Sequence, residues 1–451
     1  MAPGRVNGPG LLPEYRYMRR VSFLILCITV PFGAARAQDA GFELDAAFDA
    51  IEPKVIEWRR DFHRHPELSN REFRTAKKVA EHLNDLELDS VETNVAHTGV
   101  VGTLKGGKPG PTIALRADMD ALPVKEQTGL PFASKAKGEF NGQEVDVMHA
   151  CGHDTHTAIL MGAAEILAAN RDQLAGTVKF FFQPAEEGAP VGEEGGATLM
   201  IEEGVLDGPD APEAIFGLHA WPVPAGTINF RPGSFMAASD SLYITVRGRQ
   251  SHGSAPWMGV DPIFVSSQIV TALQGIPGRQ LDITKGPAVI TIGSMHGGVR
   301  GNIIPDEVEM MGTIRTFDEG VREELHARLK RTVTLIAEAA GAEATITIDP
   351  YSPVTGNDPE LLQRMMPTLV RAAGEGNVVE HPLITGAEDF AHFQKRIPGL
   401  YLMLGINKEG VGRGQAPSNH SPLFYVNEDA LIVGVRTMVG LAFDYAQRTS
   451  E

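Results

Sequence analysis

Residues 148–158, MHACGHDTHTA, place His149, Cys151, His153 and His156 within eleven positions. Gly152 separates Cys151 from His153, a spacing that lets one loop aim a thiol and an imidazole at a single point. Three other stretches offer related chemistry. PAEEG sets Glu186 beside Glu187 just after the run Phe180-Phe181-Phe182, GLHAWP carries His219, and SNHSP carries His420. A thiolate, imidazoles and a carboxylate form a donor set for a borderline divalent ion such as Zn²⁺, Mn²⁺, Co²⁺ or Ni²⁺. A second carboxylate beside a ligand can act as general base on water, which is the division of labour that Glu186 and Glu187 offer. Taken singly, each histidine fits a hydrogen-bonded structural role, and adjacent acids fit a solvated turn. Cys151, His153, Glu187, His219 and His420 at successive expected strand ends together favour a metal site.

The cysteine count sharpens the question. The only other cysteine, Cys27, lies in a segment with Arg19 and Arg20, then the apolar run 21–33, then Ala35-Arg36-Ala37. That series reads as a secretory signal peptide cleaved after residue 37, with residues 1–17 upstream of a better start at Met18. The apolar run is short for a membrane span. Cleavage leaves Cys151 alone in an oxidising compartment, with no internal disulfide open to it, so it is a packed thiol, a nucleophile or a metal ligand. The expected location is the periplasm. With 57 acidic against 40 basic residues and a net charge of −17, the chain is a poor partner for nucleic acid or an anionic membrane surface.

These residues need a scaffold. The chain of 451 residues exceeds what one core usually serves, so two domains are expected. Apolar, β-branched runs at 111–120, 177–187, 213–222 and 399–406 read as strands entering polar loops, and 154–173 reads as a helix capped by Asp154. Strands alternating with helices predict an α/β fold: a mostly parallel sheet with helices on both faces, whose strand ends bind ligand. Residues 233–348 differ, reading strand–helix–strand–strand–helix–strand. They predict a smaller α+β domain inserted between catalytic parts 38–232 and 349–451.

FHRHPELSNREFRTA, LRADMDALPV, MHACGHDTHTA, FFQPAEEG, GLHAWP, SHGSAP, GNIIPD, GAEDF and NHSP occur in that order. The series resembles the aminoacylase-type dinuclear metallohydrolases, in the branch of hippurate hydrolase, N-acyl-amino-acid amidohydrolases and auxin-conjugate hydrolases. The resemblance implies that Cys151, His153, Glu187, His219 and His420 bind two metal ions, with Cys151 shared, and that Glu186 is the general base. It implies that Asp118 orients a metal-site residue, that His252 of the insert stabilises the oxyanion, often in a second copy's site, and that Asn302 contacts the substrate carboxylate. His63, His65, His149 and His156 read as structural. Many relatives outside this branch have a His-x-Asp strand end and a bridging Asp where Arg116-Ala117-Asp118 and Cys151 stand here.

The expected function is a metal-dependent amidohydrolase that cleaves N-acyl amino acids with activated water, as a homodimer or higher homo-oligomer through the insert. A dipeptidase or carboxypeptidase on the same scaffold is the nearest alternative. A cysteine hydrolase would leave the Glu pair and His420 without a role, and a non-catalytic metal-binding protein has no need of Glu186.

Overall fold

The computed structural model describes residues 44–448 apart from 413; the expected signal segment lies outside the described residues. The large sheet contains β1 (Ser90–Val95), β2 (Gly99–Lys105), β3 (Lys108–Asp118), β4 (Ala175–Gln183), β5 (Ala214–Pro224) and β6 (Ile228–Phe230). The insert contributes β7 (Ala238–Arg247), β8 (Ser251–His252), β9 (Ala288–His296), β10 (Ile303–Ile304), β11 (Glu307–Thr316) and β12 (Glu343–Ser352). The large sheet is completed by β13 (Val378–Glu380) and β14 (Gly399–Asn407). Its order is β1-β2-β4-β3-β5-β14-β6-β13, with β4, β3, β5 and β14 parallel at its centre.

The central strands are buried on both faces, as a parallel sheet requires. Along β4, Phe180 and Phe182 enter the core under helices α1 (Asp45–Arg64), α2 (Phe73–Asp85) and α3 (His153–Ala169), whereas Phe181 enters the opposite core beside Phe393. The alternation is the two-residue period of a strand. All three rings are fully buried, each contributing about 1.5–3 kcal/mol of transfer free energy.

Helix α3 begins one residue before the expected start. Its cap is Gly152, with φ +100°, and Asp154 makes no capping bond. Instead the Asp154 carboxylate is buried against Arg59 at 2.8 Å and His63 at 2.9 Å. Glycine is needed at 152 because a Cβ there would sit 2.9 Å from Ala220 Cβ in a left-handed backbone. That sharp turn carries Cys151 and His153 to the mouth of the sheet.

The insert is a separate four-stranded antiparallel sheet, ordered β9-β11-β7-β12. One face is covered by α4 (Pro262–Arg279) and α5 (Glu319–Ala339). Leu242, Ile244 and Val246 alternate inward to meet Val265, Ile269 and Leu273 of α4 and Leu325, Leu329 and Val333 of α5. Asp261 and Asp318 cap the two helices through the N–H groups of Ile263 and Val321. The strand segments flanking the insert, Gly233–Met236 and Thr355–Asn357, pair with each other. Among the described residues no helix is long and apolar enough to cross a membrane.

Candidate metal centre

The ends of β3, β4 and β5 and the loop before α3 bring the predicted donors together. Donor atoms of Cys151, His153 and His219 lie within 4.8 Å of one another, as do those of Cys151, Glu187 and His420, and those of His153, Glu186 and Glu187. Cys151 Sγ stands 3.4 Å from His219 Nε2, and His420 Nε2 is 3.0 Å from a Glu187 oxygen. His420 adopts φ +69°, and its N–H donates to Ala150 O. Beside it, Asn419 Nδ2 donates to the carbonyls of Cys151 and Ala220, tying three loops together.

Each imidazole has a neighbour that sets its tautomer. His219 Nδ1 donates to Ala220 O at 2.8 Å, leaving the Nε2 lone pair towards Cys151. Burial, with His156 next, holds its pKa well below the usual imidazole value, so the ring is a neutral donor. His153 Nδ1 lies 3.2 Å from Asp120, while its buried Nε2 has no hydrogen-bond partner. Burial disfavours charge on that ring, but Asp118 and Asp120 outweigh it and push the pKa up to about 10. The acids around the ring therefore favour positive charge at this point. His156 is already spent, with Nδ1 donating to Asp118 at 2.5 Å and Nε2 accepting from Ala220 N.

The base candidate lies on the other side of His153. Glu186 is buried, with one oxygen 3.9 Å from His153 Nε2 and the other receiving Asp389 N–H at 3.4 Å. Burial, reinforced by Glu388, Glu187 and Asp389, raises its pKa well above the ordinary carboxylate range. Burial likewise pushes the Cys151 thiol up, as do Glu187 and Glu186. A buried thiol kept protonated in this way is a poor free nucleophile, whereas a metal ion would displace its proton.

The carboxylate hydrogen-bonded to His153 is Asp120; Asp118 stands 3.7 Å from the same nitrogen and holds His156 and Arg116. Asp120 was not singled out from the sequence, although it repeats the acidic residue of RADMD two positions on. Arg116 lies two residues before Asp118 at the end of β3. Its buried guanidinium binds Asp118, Glu388 and Asp389, at 2.5, 2.9 and 3.0 Å, and so neutralises acids that surround Glu186. Glu388 and Asp389 belong to GAEDF, quoted in the series without a role.

His252 and Asn302 are brought to each other but not to this cluster. Both are exposed, and Gly253 N–H donates to Asn302 O beside the β8–β10 pair. Ser254 N–H donates to His252 Nδ1 at 3.1 Å, which leaves the proton on Nε2 as an outward donor. Among the described residues, no hydrogen bond joins either side chain to the strand-end cluster. His63 lies between Asp154 and Glu126, His65 bonds to Asp61 O, and His149 is buried.

Residues 114–444 match Peptidase family M20/M25/M40. The chain belongs to that family. It is 43% identical over 400 residues to thermostable carboxypeptidase 2 of Saccharolobus solfataricus, covering 88% of this chain and 97% of that protein. It is 38% identical over 394 residues to the N-acetylcysteine deacetylase of Bacillus subtilis, covering 87% and 97%. In three dimensions it is similar to the YXEP protein of Bacillus subtilis, described as a dinuclear metal binding peptidase from the M20 family. The TM-score is 0.74 at 37% identity, over 88% of this chain and 99% of that one. This M20 chain is thus a metal-dependent hydrolase of amide or peptide bonds in small substrates, of the amidohydrolase branch.

Proposed function

We propose that this M20 chain is a two-metal amidohydrolase of N-acyl amino acids. The observation that carries the reading is the buried His153 ring: Nδ1 is engaged by Asp120, Nε2 has no hydrogen-bond partner and lies 3.9 Å from Glu186, and the ring clusters with donor atoms of Cys151, His219 and Glu187. Cys151, His153, Glu187, His219 and His420 would hold two divalent ions; Cys151 belongs to both donor groups, that with His153 and His219 and that with Glu187 and His420. Their mixed sulfur, nitrogen and oxygen donors suit Zn²⁺, Mn²⁺, Co²⁺ or Ni²⁺. When bound, the ions supply Lewis-acid polarisation of the amide carbonyl and of the attacking water.

The chain's own residues do the rest. Glu186, with one oxygen 3.9 Å from His153 Nε2, takes the water proton at its carboxylate and holds it until the amine leaves. It then protonates the leaving nitrogen. His252 offers its Nε2–H to the oxyanion and Asn302 its amide to the substrate carboxylate, delivered by closure of the insert or by a second copy. Asp118 acts indirectly, by fixing His156 and Arg116 behind the donors.

The relative at 43% identity named a carboxypeptidase favours one second reading, release of a C-terminal residue from short peptides. A screen of N-acetyl and N-benzoyl amino acids against unblocked peptides, alongside metal analysis of the purified protein, separates the two. The expected result is two metal equivalents and turnover of the N-acyl substrates that chelation abolishes and metal restores. Turnover confined to peptides would support the second reading, and a metal-free protein without turnover would contradict both. We further propose that residues 1–37 direct export and are removed, which Edman sequencing of the native protein tests.

A further inference from the structure

One sequence segment has no part in the chemistry above: Ser69-Asn70-Arg71-Glu72, between α1 and α2. It packs against the turn that carries Glu186 and Glu187. That turn places three consecutive backbone N–H groups towards two buried carboxylates. Ala185 N donates to Glu72 at 3.0 Å, and the N–H groups of Glu186 and Glu187 each donate to Asp120 at 3.1 Å. Ala185 has φ +53°, the left-handed backbone that such a concave array of N–H groups requires and that an alanine adopts only when its surroundings insist. Ser69 Oγ donates to Asp120, and Asn70 Nδ2 donates to Glu194 O just downstream of the turn. Glu72 is fully buried and also accepts from Asn70 N and from Thr98 Oγ1.

We propose that Glu72 and Asp120 are a pair of positioning carboxylates that clamp the 185–187 backbone, and that this clamp sends Glu186 and Glu187 to different tasks. Here the backbone is fixed from below, so Glu187 stays at Cys151 and His420 while Glu186 stays at His153 and Asp389. Asp120 ties the same turn to the ligand His153. The inference rests on the amidohydrolase reading for its kinetic arm but not for its metal arm.

Length and charge of Glu72 can be varied separately. Glu72→Gln keeps the reach: its carbonyl accepts from Ala185 and Asn70, and its amide donates to Thr98. Glu72→Asp keeps the carboxylate but withdraws it by one methylene from Ala185 N. The aspartate variant should lose at least about tenfold in kcat, with KM within threefold, and about 10–100-fold in Zn²⁺ affinity by chelator competition, as outer-shell changes do. The glutamine variant should stay within about threefold of wild type in both. An aspartate variant with wild-type kcat and Zn²⁺ affinity, or a glutamine variant as impaired as the aspartate, would overturn the proposal. Zn²⁺ that fails to bind even wild type would instead refute the metal reading.

Discussion

His153 and His219 at the large sheet are buried, and each has one ring nitrogen engaged by a fixed acceptor. His252 and Asn302 in the insert are exposed, and His252 is steadied only by Ser254 two residues away. The first group is organised before any ligand arrives, since its tautomers and spacing follow from packing. The second group has its donor proton set but not its place. On the proposed reading, a site divided in this way would separate metal loading from oxyanion stabilisation, so the two should break independently.

The largest effect should come from the buried half. Cys151→Ser should lower metal affinity by more than the roughly 10–100-fold typical of outer-shell changes, with activity falling in parallel by titration with Zn²⁺. Full metal content with activity lost would point to a nucleophile instead. His252→Ala should lower kcat about 10²–10³-fold, the usual worth of an oxyanion donor, with metal content and thermal stability unchanged. Metal loss in that variant would erase the division between the two halves.

Packing should separate the regions as well. Phe181→Ala, in the core behind the Glu186 strand, should cost about 3–5 kcal/mol in denaturant unfolding. Met311→Ala, on the open face of the insert sheet, should stay within about 0.5 kcal/mol. A smaller effect is set by pH. Burial raises the Asp240 pKa, but hydrogen bonds from His326 and Arg322 outweigh it, so the folded value lies below the unfolded one near ~3.9. A depressed carboxylate stabilises above its unfolded pKa and loses that contribution as pH falls through the folded value. Asp240→Asn should therefore flatten the acid limb of the stability profile below about pH 4.

The clustering of Cys151, His153, Glu187, His219 and His420 was legible because their residue types are rare and their strand ends follow from apolar period. The insert was legible from its alternating strands and long amphipathic helices. What lay behind the donors was not. Asp120 and Asp118 differ by two positions and share one composition, and only the fold decides which reaches His153. Glu72 lies 113 residues from the turn it holds, and no local pattern connects them. Asp154 looked like a helix cap because local rules favour one there, but a tertiary ion pair with Arg59 claimed it. Asn419 was hidden beside the more conspicuous His420.

On the proposed reading, the neighbouring carboxylates Glu186 and Glu187 do different work. Glu186→Gln and Glu187→Gln, each analysed for bound metal and for turnover of one N-acyl amino acid, test it most directly. The Glu186 variant should keep its metal and lose about 10²–10⁴-fold in kcat, while the Glu187 variant should lose metal. Equal metal loss in both variants would contradict it.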